Sequence, residues 1–447
     1  MLKHKSLHFL LALTFLVLVV SIGYGIDRHQ SARLLGCYSI LFAVYVFVIN
    51  HHDDLSEPEA NLWLILSVIF RAALLFSIPA LSDDFYRFVW DGRVLAAGHN
   101  PYTAVPSFYM TPGHEVPGLN DLLFDKLNSK HRFSSYPPVC QGIYWLSVKL
   151  SPDSLHGSVL IMKNILFLFE IGTIAILRIL ARNFKIKESA VLLYALNPLV
   201  ILEITGNLHF EGVMVFFLMF AVYLLIKRQL FPSATAFALS VCTKLIPLIF
   251  LPLLYRALGW KKALTYWALT LLVTAVLFLP LINENIYDGF STSLGYYFQR
   301  FEFNASIYYL IRAVGFWIFG YNIIQFAGPI LAALATIAIL YISYKGIKGL
   351  SGDRIYPDFF IAMGVCLLIY FLSSAILHPW YIITLLAISI FTPYRFPVLW
   401  TGLIFFTYAG YSKTGFNENL LLVSAEYVCV FLYILYETVW TRRQSHS

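Results

Sequence analysis

Apolar runs recur along the whole chain, separated by short polar connections, and most reach the ~18–20 residues needed to cross a bilayer core of about 30 Å. Segments 8–25, 32–50 and 60–80 read as three spans. Segments 157–181, 188–205, 209–226, 262–281, 323–345, 356–376, 379–393, 396–412 and 416–438 continue the series. Segment 232–256 is interrupted by Lys244, Pro247 and Pro252, which predicts two short helices folded back as a hairpin. Segment 136–151 is expected to lie in the interface, and the aromatic stretch 283–320 to stay at the outer interface. The predicted fold class is all-α: a polytopic membrane helix bundle forming one domain over 1–447, with roughly 12–14 membrane segments.

Composition agrees with the pattern. Of 447 residues, 59% are hydrophobic and 12% charged, too little polar surface to cover a soluble core of this size. The net charge of +7 sits mostly in short loops, where it reports topology and not a nucleic-acid surface. Lys3 and Lys5 place the N-terminus in the cytoplasm; Arg182, Lys185 and Lys187, then Lys227 and Arg228, YRALGWKK, YKGIKG and TRRQ fall on the same side. The first apolar run is expected to be a retained span, since no small-residue cleavage site follows it. Three crossings bring Ser82 to the opposite face, so 82–156 is expected to form the first large extracytoplasmic loop, with interfacial helices. The five cysteines show no paired spacing and suggest neither a disulfide framework nor a metal site.

The unusual loops all fall on the outer side. They are SDDFYRFVWDGRVLAAGHNPY (82–102), NLHFEG, NENIYDGF, YYFQRFEFN, LHPWY and YSKTGFNEN, and they gather the acids, histidines and aromatics. Transfer of a group from a lipid phosphate needs a carboxylate to take the acceptor's proton, donors to hold the leaving phosphate, and flat rings for a sugar. Asp83 and Asp84 supply the carboxylates. Arg87, Arg93, His209, Lys244, Arg300 and His378 are the available cations or donors. Tyr86, Trp90, Tyr136, Tyr297, Trp380 and Tyr381 supply rings, and Glu211 stands beside His209 at the start of a span. Two adjacent acids in apolar surroundings raise the pKa of one of them, which suits a general base.

The ordered landmarks SDDFYRFVWDGRVLAAGHNPY, YPPVCQGIY, ALNPLVILEITGNLHFE, TKLIPLIFLPLL, FNASIYY and HPWY resemble those of bacterial GT-C fold glycosyltransferases. They are most similar to mannosyltransferase-like members that use polyprenyl-phosphate sugars. The resemblance implies a multi-span inverting enzyme of the cell (inner) membrane whose base is an acid of the first large outer loop. It favours Asp83, with Asp84 as the competitor, and it implies a polyprenyl-phosphate hexose donor such as mannose, a glycolipid or glycan acceptor, and no nucleotide sugar or other cofactor. Lys244, Arg300 and His378 are the expected phosphate contacts.

Each residue also has a structural reading. Asp83 or Ser82 has the position of a helix cap, and Asp84, Arg87 and Asp91 have the spacing of a salt-bridge stripe. Arg71 and Glu170 lie mid-span and are expected to pair inside the bundle. Lys244 could reach the interface by snorkelling, and Trp380 and Tyr381 could be belt residues. Asn304-Ala305-Ser306 matches a glycosylation acceptor, a pattern common by chance. Two other functions compete. A lipid-glycan flippase would keep its acids and broken helices near the midplane, whereas these gather at one face. A surface-polysaccharide polymerase or ligase would carry its large outer loop elsewhere than at the early acid pair.

Overall fold

The computed structural model describes residues 5–282, 286–345 and 355–446. The connections at 283–285 and 346–354 and the side chain of Tyr297 lie outside the described residues. Chain order begins with α1 (Lys5–Gly25), α2 (Ser31–Ile49), α3 (Glu57–Ala72), α4 (Asp84–Ala96), α5 (Asp121–Asp125), α6 (Pro138–Leu150) and α7 (Leu155–Asn183). The fold is an all-α bundle; the strands described are one short hairpin pairing Tyr411–Ser412 with Gly415–Phe416.

Six helices of the described chain are long and apolar enough to cross a membrane: α1, α2, α7, Trp260–Leu281, Ile324–Lys345 and Leu420–Val439. A bent pair, Glu188–Ala195 and Pro198–Gly206, turns through 52° and makes a seventh if counted as one span. The other apolar segments form shorter helices of 10–17 residues, among them Glu211–Ile226, Leu230–Val241, Pro379–Ser389 and Phe396–Gly410. The sequence therefore places the apolar segments well but overestimates the length of several.

The third segment shows why. A capping box starts α3: the Ser56 backbone N–H donates to Glu59 Oε2 at 2.8 Å, and Pro58 follows in the first turn. The helix stops at Ala72 instead of running to residue 80. Beyond it, Lys163 on α7 donates to the Leu74 carbonyl at 2.9 Å and to the Ser77 hydroxyl at 2.7 Å. A buried ammonium thus satisfies one carbonyl that a longer helix would have bonded internally. One turn earlier, Arg71 Nε donates to Glu170 Oε2 at 3.0 Å, both side chains being fully buried. Tyr194 Oη donates to the other oxygen of Glu170 at 2.7 Å. The pairing expected from the sequence is present.

The hairpin expected over 232–256 also forms. Leu230–Val241 is helical, the chain breaks at Cys242–Leu245, and a tighter 3-10 segment, Ile246–Leu253, accommodates Pro247 and Pro252 before a short turn of helix, Leu254–Leu258. The broken backbone is satisfied from outside: Val139 N–H donates to the Cys242 carbonyl at 2.9 Å. The aromatic stretch that follows holds two helices, Ile286–Gln299 and Ile307–Phe319.

Helices α4 and α6, with 13 residues each, extend about 20 Å at 1.5 Å per residue, too short to cross. They lie against each other. A Cβ at Gly92 would meet the Tyr144 carbonyl oxygen at 2.6 Å, so only glycine permits this approach. Asn304 sits in the left-handed region at φ 46°, is fully buried, and donates its amide to Glu426. Burial excludes it as a glycosylation acceptor.

The Arg71–Glu170 pair yields a stability prediction. Arg71→Met leaves Glu170 buried beside one tyrosine, and loss of one partner of a buried pair typically costs about 3–5 kcal/mol. Thermal unfolding of the purified protein should show a clear drop for Arg71→Met and recovery in Arg71→Met combined with Glu170→Gln. Equal melting of the two variants would mean that the pair contributes packing only.

Candidate active site

The site begins where α3 hands the chain to α4. Leu81 N–H donates to Asn207 Oδ1 at 3.1 Å, which fixes the approach to Ser82. Asp83 holds the N-cap position of α4 but makes no side-chain cap bond. Its carboxylate instead pairs with Arg28 from the connection between α1 and α2, and stays 37% exposed. The Arg28 guanidinium also lies 5.0 Å from the centroid of the Tyr411 ring. Asp84, the first helical residue, accepts from Asn128 Nδ2 at 2.9 Å. Burial pushes its carboxyl above the ordinary range, with the Asn128 bond and the Lys244 charge acting the other way.

These groups border a cavity of about 360 Å³, within the size range of small-molecule sites. Asp83, Asp84 and Arg28 form one side of it, with Asn128, Arg132 and Tyr136 from the α5–α6 connection. Tyr296 comes from the helix Ile286–Gln299, Glu302 and Phe303 from the connection after it, Tyr411 and Phe416 from the short hairpin, and His378 and Trp380 complete the wall. Two non-helical segments build the far side: Phe303 N–H donates to the Ala375 carbonyl at 3.0 Å, and Leu377 N–H to the Phe303 carbonyl at 2.8 Å. This bridge seats the Phe303 ring 4.5 Å from that of His378.

Trp380 is sandwiched between two imidazoles. His209 stacks on it at 3.5 Å and 15°, and His378 at 4.6 Å and 8°. His209 Nε2 lies 3.3 Å from Glu203 Oε2 without hydrogen-bond alignment. Burial and the nearby Lys244 charge push His378 down to about 3, so it acts as a neutral donor or acceptor and not as a cation. Its Nδ1 is buried with no hydrogen-bond partner.

Not every expected site residue reaches the cavity. Arg87 is on its wall, but its Nε donates to Asp91 at 2.7 Å and its Nη1 to the Ser129 and Arg132 carbonyls at 3.2 and 2.9 Å. The expected i, i+4 bridge is therefore real. Arg93 is bonded to the Gly118 carbonyl and is not on the wall, because its position on α4 faces the loop before α5. Arg300 is exposed and also off the wall, which takes Phe301, Glu302 and Phe303 from the residues just after it. Lys244 pairs with the fully buried Glu211 and lies 5.4 Å from the Tyr381 ring centroid. The three form a layer behind the wall and not part of it; the Lys244 charge still acts on Asp84, His209 and His378.

Sequence reasoning missed Arg28, Asn128, Arg132 and Glu302. Arg28 carried a usable signal: the parity of three crossings puts the connection 26–30 on the same side as Ser82. Glu302 lies within a loop already marked as outer, but its tie to Arg312 and to Tyr308 Oη, at 2.7 Å for the latter, is a tertiary fact.

The chain is similar to alpha-(1->6)-mannopyranosyltransferase B of Corynebacterium glutamicum, 26% identical over 149 residues. That match covers 33% of this chain and 24% of the relative's length. The model of the alpha-(1->6)-mannopyranosyltransferase family, N-terminal domain, matches residues 11–260, more than half of the chain, and includes the Arg28–Asp83 pair, α4 and the Lys244 hairpin. The chain belongs to the alpha-(1->6)-mannopyranosyltransferase family.

Proposed function

We propose that this protein is an inverting mannosyltransferase of the GT-C type, acting in the inner membrane with its site open to the extracytoplasmic face. The donor is a polyprenyl-phosphate mannose and the acceptor a glycolipid or growing glycan. The single observation that carries the reading is an acid pair at the free N-terminal end of α4, lining a sugar-sized cavity, in a chain of this family. The named activity of the corynebacterial relative supports the choice of mannose.

In this reading one acceptor hydroxyl attacks C1 of the donor sugar. The C1–oxygen bond to the phosphate breaks, the polyprenyl phosphate leaves, and the hydroxyl proton passes to a carboxylate. Asp83 suits that role. Its carboxylate projects from the helix end, is exposed to the cavity, and is held in place by Arg28. Asp84, half-buried and bonded to Asn128, sets the field beside it. Tyr136 brings a ring to the wall, Trp380 holds His378 there by stacking, and neutral His378 offers Nδ1 to a substrate oxygen. His209, Glu211, Lys244 and Tyr381 support that wall from behind. Residues 82–156 form the extracytoplasmic loop region and the chain works as a single domain.

The base assignment is checked on purified protein with a panel of synthetic polyprenyl-phosphate hexoses. Asp83→Asn is expected to lower turnover about 10²–10⁴-fold with melting unchanged. A base must be ionised, so activity falls as pH falls through its pKa. Asp84 carries the raised pKa, so an acid limb set by Asp84 would lie above the ordinary carboxylate range and vanish in Asp84→Asn. With Asp83 as base the limb persists in Asp84→Asn. Its disappearance there would give the role to Asp84, and full activity in both variants would end the carboxylate mechanism.

The orientation has its own test. Leu122 on α5 is 82% exposed, and Lys227 is exposed after the helix Glu211–Ile226. In a cysteine-free background, Leu122→Cys in intact cells should react with an impermeant thiol reagent, and Lys227→Cys should react only after permeabilisation. The opposite pattern would place the cavity in the cytoplasm.

A further inference from the structure

The cavity must hold an anion if a sugar phosphate is to bind there, and most of the nearby cations are already committed. Lys244 is matched by Glu211 and lies behind the wall. Arg300 is off the wall. Arg87 gives Nε to Asp91 and Nη1 to two loop carbonyls. Histidine 378 is neutral. Arg87 thus spends two of its three nitrogens, whereas the other two guanidinium groups on the wall each spend one: Arg28 gives Nη2 to Asp83, and Arg132 gives Nη2 to the Asn128 carbonyl at 2.5 Å.

A guanidinium has five N–H donors in one plane, so a single carbonyl leaves most of them available. Arg132 is also held ready for use. Its guanidinium carbon lies over the Tyr296 ring, 4.7 Å from the centroid, a contact that uses the face of the group and none of its in-plane N–H donors. Its own carbonyl accepts from Arg87 Nη1 at 2.9 Å, and Ser129 in the same loop accepts from Arg87 through both its carbonyl and its hydroxyl. Arg87 is in turn fixed by Asp91, which also accepts from Gln141 Nε2 at 3.1 Å and from Ser134. The loop bearing Arg132 is thereby tied to both α4 and α6.

We propose that Arg132, supported by Arg28 on the other side of the acid pair, is the principal contact for the donor's phosphate. Arg87 is a positioning residue that orients the Arg132 loop. This rests on the mannosyl-transfer reading for the identity of the ligand, but the phosphate chemistry stands on the wall itself. As C1 separates from the phosphate oxygen, negative charge grows on the phosphate, and a stacked, pre-oriented guanidinium stabilises it without reorganisation.

Direct binding tests this without turnover. The full chain in detergent is titrated with a short-chain polyprenyl phosphate, the matching neutral polyprenol and inorganic phosphate, for wild type, Arg132→Gln, Arg132→Lys and Arg87→Gln. Wild type should bind the lipid phosphate far better than the polyprenol. Arg132→Gln should weaken the lipid phosphate about 10- to 100-fold, the value of one to two charge-assisted hydrogen bonds, with the polyprenol unchanged. Arg132→Lys should fall between the two, and should still report if Arg132→Gln does not fold. Arg87→Gln should weaken the phosphate ligand less and leave the polyprenol alone. Equal lipid-phosphate affinity in wild type and folded Arg132→Gln would overturn the assignment. Competition by inorganic phosphate at a concentration equal to that of the lipid phosphate would also overturn it, by making the site one for free phosphate. Arg132-dependent phosphate binding without transfer from any mannosyl lipid would instead refute the mannosyltransferase reading and leave the phosphate site standing.

Discussion

The ion pair between Arg28 and Asp83 is the constraint around which the cavity is built. It joins the turn between α1 and α2 to the first residue before α4. Without it, Asp83 would have a reason to cap its own helix, as an N-cap aspartate ordinarily does. With it, the carboxylate is held by Arg28 at the cavity wall instead of capping the helix, and the Asp84 N–H turns to the Ser82 hydroxyl at 3.3 Å. Arg28 then continues to Tyr411, so the pair also connects the start of the chain to the small hairpin that forms the cavity's other edge.

Broken helices do the rest. A membrane helix that runs unbroken presents no polar backbone and no charge at depth. This chain breaks its helices at Asn207–Phe210, at Cys242–Leu245 and at Ser374–His378, and each break brings a polar side chain to the same region. Leu208, at φ 63°, turns the first break, and His209 follows it onto Trp380. The second break carries Lys244 to Glu211. The third pairs with Phe303 and delivers His378. At the first break the preceding turn supplies the partners, with the His209 N–H donating to the Glu203 carbonyl at 3.1 Å; at the second and third they come from other segments, through Val139 and Phe303.

Much of this was legible in the sequence, because its causes are local. Apolar length fixes the helices, proline and lysine mark the Leu230–Leu258 hairpin, and helical spacing yields the Arg87–Asp91 bridge. Mid-span Arg71 and Glu170 could be paired by cost alone, since an unpartnered charge there is prohibitive. What escaped was set by partners distant in the chain. Arg300 and Glu302 stand two residues apart in one connection, and the bridge of Phe303 to Ala375 and Leu377 sets which of them meets the cavity. Just past the end of α3 a lysine on α7 takes the Leu74 carbonyl and the Ser77 hydroxyl, and no pattern within 60–80 announces that.

The same logic separates structural from functional charge. Arg71 with Glu170 and Lys244 with Glu211 are closed pairs: each cation meets a buried carboxylate. Such pairs hold segments in register but have little left to offer a ligand, and removing one partner would strand the other. Arg28 and Arg132 differ in that their rings of contact are an aromatic face and one acceptor each, with in-plane donors unused beside an acid pair. A site that must bind an anion, hold it next to a carboxylate, and then release it with more charge than it brought needs this incomplete kind of coordination. A fully matched cation would bind the anion too weakly, and an unsupported one would reorganise during the reaction. The aromatic stacking of both guanidinium groups supplies the support without using up the donors.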